Sequence, residues 1–160
     1  MAKNKKQYKI RFFEAKCNKC KNKFDMPLLS DFSSYGEFIV RNKTGSKFAY
    51  FETLTNSFWD EVSNIIDEII RNKKNSRITI AKRQRVISKC LDKINDEQFA
   101  IDKPICPKCK SKDINYGIGH PKGVKRIPYV SFNEFDKMNK LEKVELVERI
   151  LKNKLKTAPN

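Results

Sequence analysis

The sequence of 160 residues holds one histidine, one tryptophan and no apolar run of the roughly eighteen residues that a membrane span needs. Its opening, MAKNKKQYKI, is basic but lacks the apolar stretch of a secretory signal, so the expected location is the cytoplasm. Familiar catalytic phrases are missing as well. There is no H-E-x-x-H, no G-x-x-x-x-G-K-[ST], no G-x-S-x-G and no H-x-E ahead of P-C-x-x-C. Those absences exclude the hydrolases, nucleotide-binding enzymes and base deaminases that the motifs define. Asp60, Glu61, Asp67 and Glu68 fall within a helical pattern and read as its solvated face rather than as a nuclease centre. His120 precedes Pro121 in the glycine-bearing stretch Y-G-I-G-H-P-K-G and reads as an exposed loop residue. The expectation is a protein that is not an enzyme.

Basic charge is what the chain has in excess, at a net +16. A lysine-rich composition alone would spread that charge evenly, and here it is clustered. Residues 1–23 carry nine basic side chains against one acidic, 24–70 carry three against eight, and 71–94 again carry nine against one. Aromatic residues at 11% argue against disorder, and the length suits a single domain spanning 1–160.

Apolar periodicity places the elements. Tyr8, Ile10 and Phe12 alternate with polar residues, the pattern of a half-buried strand. N-K-T-G at 42–45 separates GEFIV from KFAYFE and predicts a β-hairpin over about 36–52. Phe58, Val62, Ile65, Ile66, Ile69 and Ile70 have helical spacing and predict a helix over about 57–71, with Ser57 and Asp60 marking its start. A second helix is predicted over about 78–94, its apolar side formed by Ile80, Ile87, Cys90, Leu91 and Ile94. Ser131 and Glu134 form a capping-box pattern ahead of a C-terminal helical part, about 131–156, with Leu141, Val144, Val147, Ile150, Leu151 and Leu155 on its apolar side. Cys90 reads as a small buried hydrophobe.

The most specific signal is a repeated phrase. Residues 17–23 read C-N-K-C-K-N-K and residues 106–112 read C-P-K-C-K-S-K, both fitting C-x-K-C-K-x-K. A Cys-x-x-Cys turn aims two sulfurs at one point, and two such turns supply the four thiolates that tetrahedral zinc prefers. The two knuckles resemble those of zinc-ribbon proteins, CPKCKSKDI most closely. That resemblance implies strands carrying both knuckles and a structural Zn²⁺ bound by Cys17, Cys20, Cys106 and Cys109. Ribbon proteins usually carry glycine after each second cysteine, where this chain has Lys21 and Lys110. The expected architecture is α+β: ribbon halves at about 7–30 and 100–130, with a hairpin-plus-helices insertion at about 31–99. Two half-sites completed by a second subunit, a pair of disulfides and a rubredoxin-like iron site are the alternatives. The lysines around the knuckles either balance the −2 charge of four thiolates and Zn²⁺ or also bind an anion.

Two partner classes follow. Lys82, Arg85, Lys89 and Lys93 recur at helical intervals and predict one basic face; with Lys5, Lys6, Lys9 and Arg11 they would bind nucleic acid through phosphates. The alternative is a protein-binding module, such as an adaptor, an antitoxin or immunity protein, or a phage-encoded inhibitor. Such a module would use the aromatic-rich insertion, with Tyr35 and Trp59 as exposed candidates. No small-molecule substrate is suggested.

Overall fold

The computed structural model describes residues 6–29, 36–73, 77–117 and 119–155. Helix and strand are mixed in an α+β fold, as expected. No helix among the described residues is long and apolar enough to cross a membrane.

The long strand β1 (Gln7–Cys17) organises the first sheet. Antiparallel β2 (Lys23–Leu28) pairs with it from Arg11 to Lys16. Along the opposite edge, β7 (Gly123–Pro128) pairs with residues 7–12 and the short β6 (Ile114–Asn115) with Lys16 and Cys17. Segments distant in sequence thus meet beside the first cysteine. In β1, Ile10 and Phe12 are buried, then Ala15 and Cys17, so burial shifts from even to odd positions along the strand. One strand thereby contributes to an aromatic cluster at its start and to the cysteine cluster at its end.

A second sheet has the order β4-β3-β5, from β3 (Glu37–Asn42), β4 (Phe48–Glu52) and β5 (Phe99–Ala100). The first two form the expected hairpin. Its turn is organised by Asn42, whose carboxamide oxygen accepts from the N–H groups of Ser46 and Lys47. The two sheets join where Tyr50 bridges Tyr129, with Val130 N–H donating to the Tyr50 carbonyl at 3.0 Å. Tyr8 stacks on Tyr50 at the same junction, ring centroids 3.7 Å apart.

Helices pack against the second sheet. α1 (Phe58–Arg71) buries Phe58, Val62, Ile65, Ile66 and Ile69, close to the predicted set. These residues share one core with Val40, Phe51, Val86, Ile87, Phe99, Phe135 and Val147. Trp59 is half-buried and stacks on Phe38, centroids 4.9 Å apart, rather than standing clear as a contact residue. Tyr35 lies outside the described residues.

α2 (Ile80–Lys89) is shorter than the predicted span of 78–94. Thr79 caps its start, accepting from Lys82 N–H, and the last turn tightens into Cys90 N–H to Ile87 carbonyl at 3.0 Å. The chain then leaves the helix axis because Asp92 pairs with residues 131–134. Asn95 and Asp96 follow, both at positive φ, in a two-residue turn closed by reciprocal Ile94–Glu97 hydrogen bonds.

The C-terminal part is two helices, α3 (Asn133–Lys137) and α4 (Lys140–Leu155). The Ser131–Glu134 capping box does not form. The Asp92 carboxylate takes its place, accepting from Asn133 N–H at 2.9 Å, Glu134 N–H at 3.0 Å and the Ser131 hydroxyl at 2.6 Å. A reciprocal box instead starts α4: Asn139 accepts from Glu142 N–H, and Glu142 accepts from Asn139 N–H. Leu141, assigned to the apolar side, is exposed, whereas Val147 and Leu151 are buried.

Candidate metal centre and basic cleft

The first knuckle follows β1 directly and the second follows the 101–105 segment. Both turns close with the same backbone pattern. Cys17 N–H donates to the Asn22 carbonyl at 2.9 Å and Cys106 N–H to the Ser111 carbonyl at 2.8 Å. Lys21 N–H reaches back to the Cys17 carbonyl at 3.0 Å, and Lys110 N–H to the Cys106 carbonyl at 2.9 Å. The conformation needs a left-handed residue after each second cysteine. Lys21 and Lys110 supply it, at φ 61° and 62°. Lysine thus holds a conformation that glycine adopts freely, at some backbone strain.

The two knuckles face each other. The Sγ atoms of Cys17, Cys20, Cys106 and Cys109 lie within 4.8 Å of one another, with Cys17–Cys109 at 3.5 Å and Cys20–Cys106 at 3.6 Å. A tetrahedral ion with metal–sulfur bonds of about 2.3 Å would space its sulfurs by about 3.8 Å. The spacing fits one ion, and all four donors come from one chain. Cys17 and Cys106 are buried while Cys20 and Cys109 are partly covered. Asn18 ties the halves together: its N–H donates to the Asp113 carbonyl at 2.9 Å and its carboxamide to the Asp113 carboxylate at 2.6 Å.

Local electrostatics favour ionisation at Cys17 and Cys106 and oppose it at Cys20. The Cys20 backbone N–H holds the Cys17 thiol below its ordinary value against the opposing effect of burial. Burial would raise Cys106, but the N–H groups of Cys109 and Lys108 outweigh it and bring the thiol to about 6. At Cys20 the Asn22 N–H lowers the value, yet burial and the three neighbouring thiols together push it up to about 11. Crowded thiols that resist ionising together are the setting in which a cation stabilises the anionic set. Cys90 is different. It is buried away from the cluster, burial alone pushes its thiol up to about 12, and it packs as an apolar residue.

Around the centre, Lys23 pairs with Glu14 at 3.1 Å. The Lys110 ammonium donates to the carbonyls of Pro107, at 2.7 Å, and Thr44, at 3.1 Å. That second contact links the knuckle to the β3–β4 turn. Gly45 of this turn, at φ 74°, sits so close to Ile105 that a Cβ there would fall 2.6 Å from Ile105 Cγ1. The turn is thus seated on the residue just before Cys106.

The predicted basic residues divide among three places. Lys82, Arg85 and Lys89 line one cleft of about 870 Å³. Lys93, beyond the end of α2, leaves that face and lines a smaller cavity with Lys6, among Glu52, Asp92 and Tyr129. Helical spacing does not carry across the break at Cys90, so the four-residue stripe is a three-residue one. Lys9 and Arg11 are exposed on β1, directly paired with Arg126 and Val124 of β7, and so share a face with Arg126. Lys5 lies outside the described residues. His120 is exposed. Periodicity could not reveal Arg41, Lys43 and Lys103, which reach the cleft from other elements.

Comparison with protein-family models, curated proteins and solved structures finds no match to this chain.

Proposed function

We propose that this is a small basic zinc protein without catalytic activity that binds nucleic acid through the lysine and arginine side of α2. Cys17, Cys20, Cys106 and Cys109 would hold the Zn²⁺. A four-thiolate set leaves no coordination position for water, so the ion's contribution is structural. One observation carries the binding reading. Lys82, Arg85 and Lys89 open onto a shared cleft while Val86 and Ile87 of the same helix are buried in the core. Cations placed this way contact phosphates without sequence reading.

The test is fluorescence anisotropy with labelled DNA and RNA across a salt series. Lys82→Glu combined with Lys89→Glu spares Arg85, which is paired with Asp102. Loss of two phosphate contacts should flatten the slope of log affinity against log salt by about 1.5, with the thermal midpoint unchanged. Wild-type protein that binds no nucleic acid at about 50 mM salt, where such contacts are strongest, sinks the reading. The protein-partner alternative would then take its place.

A further inference from the structure

The cleft beside α2 is built from more than the helix. Arg41 and Lys43, at the end of β3 and in its turn, form another part, and the 98–105 segment contributes Asp102 and Lys103. Among the described residues, six basic side chains therefore line it against one carboxylate. That carboxylate is already engaged. Asp102 accepts from the Arg85 guanidinium at 2.7 Å, and its backbone carbonyl accepts from the Arg41 guanidinium. One residue thus anchors two arginines from different elements. Their Nε–H groups are buried and have no hydrogen-bond partner among the described residues. A concave site with this charge excess focuses its field on an anion.

From this arrangement we infer that the cleft is a binding channel for the phosphodiester backbone of a single nucleic-acid strand, with Arg41, Lys43 and Lys103 acting opposite Lys82 and Lys89. The inference rests on the nucleic-acid reading above and narrows it. The recess, about 870 Å³, has room for a few nucleotides of one strand and not for the body of a duplex. A single strand is one flexible chain of phosphates that lies between the walls. Asp102 holds the two arginines in place, and the lysines, point charges on flexible stems, can follow a strand of phosphates. The cleft is also tied to the cysteine cluster. Ile105, which lines it, is followed immediately by Cys106, and the turn bearing Lys43 rests on Ile105 through Gly45.

The experiment compares oligonucleotides of about twelve nucleotides, a common single-strand site size, as single strand and as duplex. Lys43→Glu with Lys103→Glu changes two exposed side chains on the wall away from α2. This variant should lose about tenfold or more in single-strand affinity at low salt, as should the Lys82→Glu, Lys89→Glu protein. Both should retain the wild-type thermal midpoint. Wild type should bind the single strand at least about tenfold more tightly than the duplex. If only the α2 variant loses affinity, or duplex binds as well as single strand, the channel is wrong while the basic-helix reading stands. If wild type binds neither, both fail. Inorganic tripolyphosphate that competes as well as the oligonucleotide would also overturn the channel, in favour of a site for small phosphates.

Discussion

Lys21 and Lys110 show what the knuckle demands of single residues. Both hold left-handed backbone, a conformation that costs a residue with a side chain about 1–2 kcal/mol and glycine almost none. Glycine returns about 0.5–1 kcal/mol of that through the greater freedom of its unfolded chain. Lys21→Gly should therefore stabilise the protein by about 0.5–1 kcal/mol, a rise of about 1–4 °C in thermal midpoint for a chain of this size. Lys110→Gly should instead be neutral or destabilising, because the Lys110 ammonium also holds the Pro107 and Thr44 carbonyls, and two contacts worth about 0.5–1.5 kcal/mol each match or exceed the gain. Thermal melts of the metal-loaded variants check both. A lower midpoint for Lys21→Gly would mean that the lysine makes contacts that outweigh its strain.

At the scale of elements, the parts of the fold set by local pattern were legible. Val62, Ile65, Ile66 and Ile69 place α1 because a buried helix face repeats every three or four residues. N-K-T-G marked the hairpin because its Asn and Gly suit a turn. What depends on distant partners could not be read this way. The end of α2 and the start of α3 are set together by Asp92, a single acid within a basic stretch, whose partners lie about forty positions on. The Asn139–Glu142 box and the Asn95–Asp96 turn did carry local signals, and the long apolar spacing of each neighbouring helix masked them. Removal of an N-cap costs about 0.5–2 kcal/mol. Asp92→Ala removes two N–H contacts and the Ser131 contact, so it should sit near the upper end and lower the thermal midpoint by several degrees. An unchanged midpoint would show that α3 is held by the burial of Phe135 alone.

Across the whole molecule, the repeated cysteine phrase has a physical reason. Each copy is half of one site, and the 85 residues from 21 to 105 fold between the halves. The convergence of the four cysteines was legible, because each Cys-x-x-Cys turn aims its two sulfurs at one point. The cleft was legible only in part. Arg41, Lys43 and Lys103 converge with α2 through sheet pairing and loop packing, which leave no period in the sequence. A metal joining the two halves would fix β1, β6 and the 101–105 segment at once, so binding the ion would contribute directly to folding.

Native mass spectrometry of the intact protein tests that claim most directly. The expected species is a monomer carrying one zinc ion, retained in Cys90→Ala and lost, with the native charge-state distribution, in Cys106→Ser. A metal-free monomer that stays folded, or zinc found only in a dimer, would contradict it.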